Sequence, residues 1–214
     1  MDFKIYVGER SGMQKHKVFI SYHHAKDQKY KEELLKLNDR YNLFIDVSVD
    51  TGDIDDNLPD ERIREIIRDE YLRDSTITIL LVGEETRCRK HIDWELYSSM
   101  YNGKINKQSG IIVVQLVYIN PQYVTAPFEE EKKILYPNYT WTSIDSRAEY
   151  ERRYPYLPER IIDNLLNKDA KIPVTKWDTI VNNPEGFGKL IDLTFEHRLK
   201  NKYDLSRPMR KKNC

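Results

Sequence analysis

Glycine, cysteine and long apolar runs are all scarce in this chain, and each shortage removes a class of function. The 214 residues hold 8 glycines, and Gly12 and Gly52 stand alone, so no glycine-rich loop is available to cradle a phosphate. The glycine-flanked serine elbow of a hydrolase is missing as well. Two cysteines, Cys88 and Cys214, are too few for the disulfide framework of a small secreted domain. A mean hydropathy of -0.73 and the lack of a long apolar run exclude a transmembrane helix. The first thirty residues have no apolar core of the kind a signal peptide needs. Positive and negative side chains balance at 35 each, so no global field draws nucleic acid or an anionic membrane. These features predict a soluble cytoplasmic protein with neither nucleic acid nor membrane as partner. No metal signature is present. His23 and His24 are adjacent, so on an extended backbone their rings point to opposite sides.

What is present is a regular alternation of buried strands and amphipathic helices. Val18, Phe19 and Ile20 form a short apolar run that stops in Ser21, Tyr22, His23 and His24. Tyr30, Leu34, Leu37 and Tyr41 recur at helical spacing from about Asp27. Leu43–Val47 reads as a second strand. After a turn-rich loop over Asp50–Leu58, Pro59 suits a first helical position, and Ile63, Ile66, Ile67 and Tyr71 make one apolar stripe. Thr76–Val82 is a third strand, His91–Asn102 a third helix with Gly103 as its cap, and Ile111–Val117 a fourth strand. Nearly unbroken apolar strands separated by helices predict an α/β fold, an open parallel sheet covered on both faces.

The expected organisation is an N-terminal extension over 1–16, an α/β core over 17–120 and a Pro- and Tyr-rich excursion over 121–170. A last strand and helix over 171–200 complete the same domain, and a basic tail covers 201–214, within which Arg207–Lys212 is expected to fray. Within the excursion, short helices are predicted at Asp145–Arg153 and Pro158–Leu166. Lys171–Val181 reads as the last strand, and Asn183 caps a final helix from Pro184 to about Lys200.

Candidate chemistry gathers at two places. The first is Ser21 to His24, because ligands of an open parallel sheet bind outside the carboxyl ends of its strands. The alternative there is an ordinary polar turn. The second is the third helix. Successive residues turn by about 100°, which puts Ile92, Leu96 and Ser99 on a buried face and His91, Glu95, Ser98 and Asn102 on one flank. Glu95 then sits on the shoulder of the core, in the early turns where the dipole favours a carboxylate. A glutamate serving only dipole and solubility is the plainer reading. Trp94, Tyr97 and Tyr101 fall on the side away from the sheet, to be covered by the excursion or by another copy of the chain. Cys88, between Arg87 and Arg89 before this helix, reads as a bystander thiol. Glu84 and Glu85 are rival carboxylates at the end of the third strand.

Val18-Phe19-Ile20-Ser21-Tyr22 followed by Asp27 resembles the first box of a TIR domain. Phe44-Ile45-Asp46 is similar to the second strand of that family, and Cys88 followed seven residues later by Glu95 is similar to its glutamate-bearing helix. Within the superfamily, the resemblance is closest to the TIR-like proteins of bacterial Thoeris antiphage systems, which place a tryptophan just before the glutamate, as Trp94 does here. Those proteins also carry a late strand that ends in Trp-Asp or Asp-Trp, which Trp177-Asp178 resembles. One position departs from the pattern: His91 stands where many catalytic TIR domains have tryptophan.

The resemblance implies a flavodoxin-like sheet of order 2-1-3-4-5 and cleavage of the nicotinamide–ribose bond of NAD, with NAD as substrate and no cofactor. It implies Glu95 as the catalytic carboxylate, with Ser21, Tyr22, His23, Asp46 and His91 binding substrate and the Asp50–Leu58 loop as a lid. It further implies an ADP-ribose-derived second messenger acting on a separate effector, and a homo-oligomer as the active form. The alternatives are a non-catalytic interaction module and a small nucleotide-binding domain.

Overall fold

The computed structural model describes residues 15–48, 58–104 and 106–214. The expected lid therefore lies outside the described residues except at Leu58, as do Gly12, Gly52 and nearly all of the N-terminal extension. Five parallel strands make one sheet in the order β2-β1-β3-β4-β5: β1 Lys17–Ser21, β2 Ile45–Asp46, β3 Ile77–Val82, β4 Gly110–Gln115 and β5 Val174–Lys176. The α/β class and strand order expected from the sequence are those observed. The register runs Val18 beside Ile77 and Ile77 beside Gly110, which aligns the carboxyl ends of β1, β3 and β4 along one edge.

Alternation along each strand sorts the core into two layers. Ile20, Ile77, Ile79, Leu81, Ile112 and Val114 face one side and pack with Leu34 of α1 (His24–Tyr41) and with Phe187, Leu190 and Ile191 of α8 (Pro184–His197). Leu80, Val82, Ile111 and Val113 face the other side and pack with Ile92, Leu96 and Met100 of α3 (Lys90–Met100). Helix ends follow local chemistry. Asn42 closes α1 with φ of 56°, a left-handed conformation that asparagine tolerates. Asn183 caps α8 by accepting from the Gly186 amide at 2.9 Å, with Pro184 in the first turn.

Several boundaries differ from expectation for identifiable reasons. β2 shrinks to two exposed residues, as an edge strand paired on one side only. α2 (Asp60–Ile66) continues into a π-helical turn, Ile67–Tyr71, without a break. α3 stops at Met100, with Tyr101 rather than Gly103 at its cap. The excursion holds three helices: the two expected, α5 (Arg147–Arg153) and α6 (Glu159–Leu166), and α4 (Glu129–Leu135) before them. The predicted strand Lys171–Val181 splits. β5 ends at Lys176 and Trp177 opens the short helix α7 (Trp177–Asn182), so Trp177-Asp178 begins a helix rather than ending a strand. No helix among the described residues is long and apolar enough to cross a membrane.

The tail is the largest correction. It is not frayed. Met209 is buried beside Trp94, the Arg210 amide donates to Asp93 Oδ2 at 2.8 Å, and Asn213 Oδ1 accepts from the Lys90 amide at 2.9 Å. Cys214 forms a disulfide with Cys88. Cys88 is therefore not a bystander thiol; it anchors the last residue of the chain to the turn before α3. Trp94 is 1 % exposed. Its cover is Ile63, Ile67, Leu72 and Met209, and its Nε1 donates to the Arg210 carbonyl at 2.8 Å. The 121–170 excursion packs instead on the other flank of α3, with Tyr150, Tyr154, Ile161 and Ile162 in the cluster around Leu96 and Met100. Tyr97 lies under Arg160 and Tyr101 under Arg64, so the aromatic stripe is engaged within the chain.

Candidate active site

The carboxyl edge of the sheet brings Ser21 and Glu95 together. Ser21 ends β1 on the face turned toward α3, and its Oγ donates to Glu95 Oε2 at 2.6 Å. That separation lies at the short end of the O–H···O range. Glu95 is 4 % exposed and Ser21 is buried. Because Glu95 is the sixth residue of an eleven-residue helix, it lies beyond the first turn, where dipole stabilisation is confined. Asp93 occupies that first turn instead. The carboxylate of Glu95 is thus held by tertiary packing and by the Ser21 hydroxyl, not by the helix end.

Two further groups line the same edge. His23 is half-buried, with Nδ1 enclosed and without a hydrogen-bond partner. Its pKa is lowered, first by burial and then by the nearby Arg89 charge, while Asp27 pulls the other way. Asp27, in the first turn of α1, is buried and accepts from the Tyr118 hydroxyl at 2.7 Å. Burial raises its pKa and the Tyr118 bond opposes the rise. Gly83, just after β3, makes this contact possible: a Cβ there lies 1.9 Å from the Tyr118 hydroxyl and 2.8 Å from Asp27 Oδ2.

The other expected residues are distributed differently. Tyr22 points to the opposite layer from Ser21, within the cluster that includes Ile20 and Leu34. Its ring stacks on His24 at 4.3 Å, and its hydroxyl donates to Gln28 at 2.5 Å. Asp46 is exposed and pairs in register with Val18, below the end of β1. Its Oδ1 accepts from the Ser48 amide and hydroxyl, and Ser48 Oγ in turn accepts from the Ile20 amide. Asp46 thus shapes the turn leaving β2. His91 is exposed one turn before Glu95, with its ring 5.0 Å from Trp94. Of the rival carboxylates, Glu85 is tied to Lys26 and Arg89, and Glu84 is exposed.

The family resemblance grouped Ser21, Tyr22, His23, Asp46 and His91 with Glu95 but did not point to the Asp27–Tyr118 pair. Asp27 was visible as part of the first box. Tyr118 follows β4 in a single 3-10 turn and carries no local signal. Chemically, the edge presents an enclosed carboxylate bonded to a hydroxyl, and elsewhere along it an imidazole and a second carboxyl group near one another. Such a set suits stabilisation of a developing positive charge and hydrogen bonding to sugar hydroxyls.

No curated protein matches the chain. A family model does: residues 19–120 match that of the Thoeris protein ThsB, TIR-like domain. The matched span runs from Phe19 in β1 past the end of β4, and so contains both Ser21 and Glu95. Across those residues the chain is similar to the TIR-like domain of the Thoeris protein ThsB.

Proposed function

We propose that this protein serves in antiphage signalling as an NAD-consuming enzyme that breaks the nicotinamide–ribose bond. The observation that carries the reading is the enclosed Glu95 carboxylate, hydrogen-bonded to Ser21 Oγ at the carboxyl edge of a TIR-like sheet. Nicotinamide leaves NAD as a neutral molecule, so the reaction needs little help from a general acid. Its demand is a fixed negative group beside a ribose that becomes oxocarbenium-like. Glu95 supplies that charge in a site of low dielectric, where it acts strongly. Ser21 orients the carboxylate, and its hydroxyl can turn to a ribose oxygen as the substrate enters. His23 contributes a largely neutral imidazole, which donates or accepts without repelling the cationic pyridinium.

In this reading the ADP-ribosyl group passes to water, to a hydroxyl or base nitrogen of the same molecule, or to a second acceptor. The last two outcomes yield a diffusible cyclic or conjugated messenger for a separate effector. The active form is a homo-oligomer in the cytoplasm, and NAD is substrate rather than cofactor. A second reading, a binding module without catalysis, draws on the same burial: a carboxylate only 4 % exposed also suits a purely architectural bond between β1 and α3.

The deciding experiment incubates concentrated protein with NAD and resolves products by mass. Release of nicotinamide that drops about 100-fold or more in Glu95→Gln, at unchanged thermal stability, establishes the enzyme. No release from the wild type at any protein concentration, combined with a lower melting temperature in Glu95→Gln, establishes the architectural role.

A further inference from the structure

A cavity of about 600 Å³ opens at the amino edge of the sheet, where β1 and β3 begin. Ser21 and Lys17 mark opposite ends of β1, so this cavity lies on the order of 13 Å of strand away from the Ser21–Glu95 pair. Its lining carries six basic side chains, Lys15, Lys17, Arg68, Arg73, Lys107 and Arg198. Asp74 is the one acidic residue among the described residues that line it, and it already contacts Lys17 at 3.5 Å and Arg73 at 4.0 Å. Asp69, whose charge partly opposes the effect of burial on Arg68, accepts from Asn106. The cavity is left with a strong positive excess.

Arg68 is the decisive group. It is 2 % exposed, yet no carboxylate pairs with it among the described residues. Its Nε has no hydrogen-bond partner, and its Nη1 reaches only the Leu72 carbonyl and Ser109 Oγ, both at 3.5 Å. A buried guanidinium normally has a carboxylate or several short bonds, because desolvation is otherwise uncompensated. Burial lowers the pKa of Arg68 to about 10, which still leaves it charged at neutral pH. The residue sits on the π-helical turn Ile67–Tyr71. Such widened turns cost regular hydrogen bonding and recur at binding sites. Ser75 and Ser109 hydroxyls lie beside it, 3.3 Å apart.

We propose that this cavity binds a phosphate-bearing anion, with Arg68 as its buried anchor and Lys17, Arg73 and Lys107 around the mouth. A guanidinium fork matches phosphoryl oxygens and the lysines add point charges. Six cations around one opening exceed what a single carboxylate would neutralise, which favours a ligand with two or more phosphoryl charges. The inference does not depend on NAD cleavage at the other edge.

Binding is measured by calorimetry and thermal shift with inorganic pyrophosphate and, separately, ADP, at matched ionic strength. Pyrophosphate is expected to bind and to raise the melting temperature. Arg68→Met is expected to weaken binding by about tenfold or more while leaving the ligand-free protein as stable or more so. Should Arg68→Met fail to fold, the exposed variants Arg73→Glu and Lys107→Glu carry the test, each weakening binding. Glu95→Gln should leave the pyrophosphate response intact. Tighter binding of ADP would identify the ligand as a nucleotide, and equal binding would identify the phosphoryl groups alone; both sustain the site. Absence of binding, an equal response to sodium sulfate, or binding insensitive to Arg68, Arg73 and Lys107 would overturn it.

Discussion

Arg160 and Asp93 meet in a two-pronged ion pair, Nε to Oδ1 at 2.8 Å and Nη2 to Oδ2 at 2.9 Å, with Arg160 completely buried. The same guanidinium donates to the carbonyls of Arg207 and Pro208, and Asp93 Oδ2 also accepts the Arg210 amide. One pair therefore joins α6, the first turn of α3 and the tail. Removing one member leaves the other buried and uncompensated. Asp93→Asn is expected to cost about 3–5 kcal/mol in equilibrium urea unfolding. A loss below 1 kcal/mol, roughly the value of an exposed pair, would show that water reaches the site.

The Cys88–Cys214 bond closes the tail over α3, across a sequence separation of 126 residues. Reduction, or Cys214→Ser, is expected to lower stability by about 2–4 kcal/mol through the freed unfolded chain. It should also admit trypsin at Arg210, Lys211 and Lys212. Reducing compartments keep such pairs open, so the comparison belongs with and without dithiothreitol. An unchanged urea midpoint and an uncut tail would mean that the Asp93–Arg160 contacts hold the strap alone.

Gly83 should tolerate no side chain while Tyr118 and Asp27 stay in place. Gly83→Ala is expected to cost about 1–3 kcal/mol by overpacking. Tyr118→Phe removes the closest atom, so the double variant should recover part of the loss and show coupling between the two sites. Additive effects in thermal unfolding would contradict the contact.

Glu131 lies buried at the start of α4, with Oε1 unpartnered and Oε2 accepting from the Phe128 amide at 3.5 Å. Burial pushes its pKa from 4.5 up to about 8. Between those values the folded protein keeps a proton that the unfolded chain has released. Stability from this group is therefore present below pH 4.5, falls as pH rises toward about 8 and is level above it. Glu131→Gln should flatten that slope, with the larger gain in urea midpoint at pH 9 than at pH 5. Equal midpoint changes at both pH values would remove the titration.

Much of the α/β core was legible because its signals are local. The apolar runs of β1, β3 and β4 and the helical spacing of Leu34 or Ile63 need no partner to be read. Glu95 was legible as a shoulder residue on α3 for the same reason. Elements whose identity depends on partners were misread. Lys171–Val181 has a strand's composition, but only Val174–Lys176 finds a place beside β4, and the chain then turns into α7. The tail has a loop's composition, yet Met209 fills a gap beside Trp94.

The amino-acid sequence by itself determined the alternation of strands and helices, the two-faced burial of the sheet and the placement of Glu95 beside its core, because periodicity acts within a few residues. Tertiary structure alone decided the contacts that complete those elements. Ser21 meets Glu95 across 74 positions, Trp94 meets Arg210 across 116 and Cys88 meets Cys214 across 126. No local pattern encodes such pairs. They form because the parallel sheet brings β1 beside α3 and the tail packs back over that helix, where buried polar groups such as Trp94 Nε1 find backbone partners.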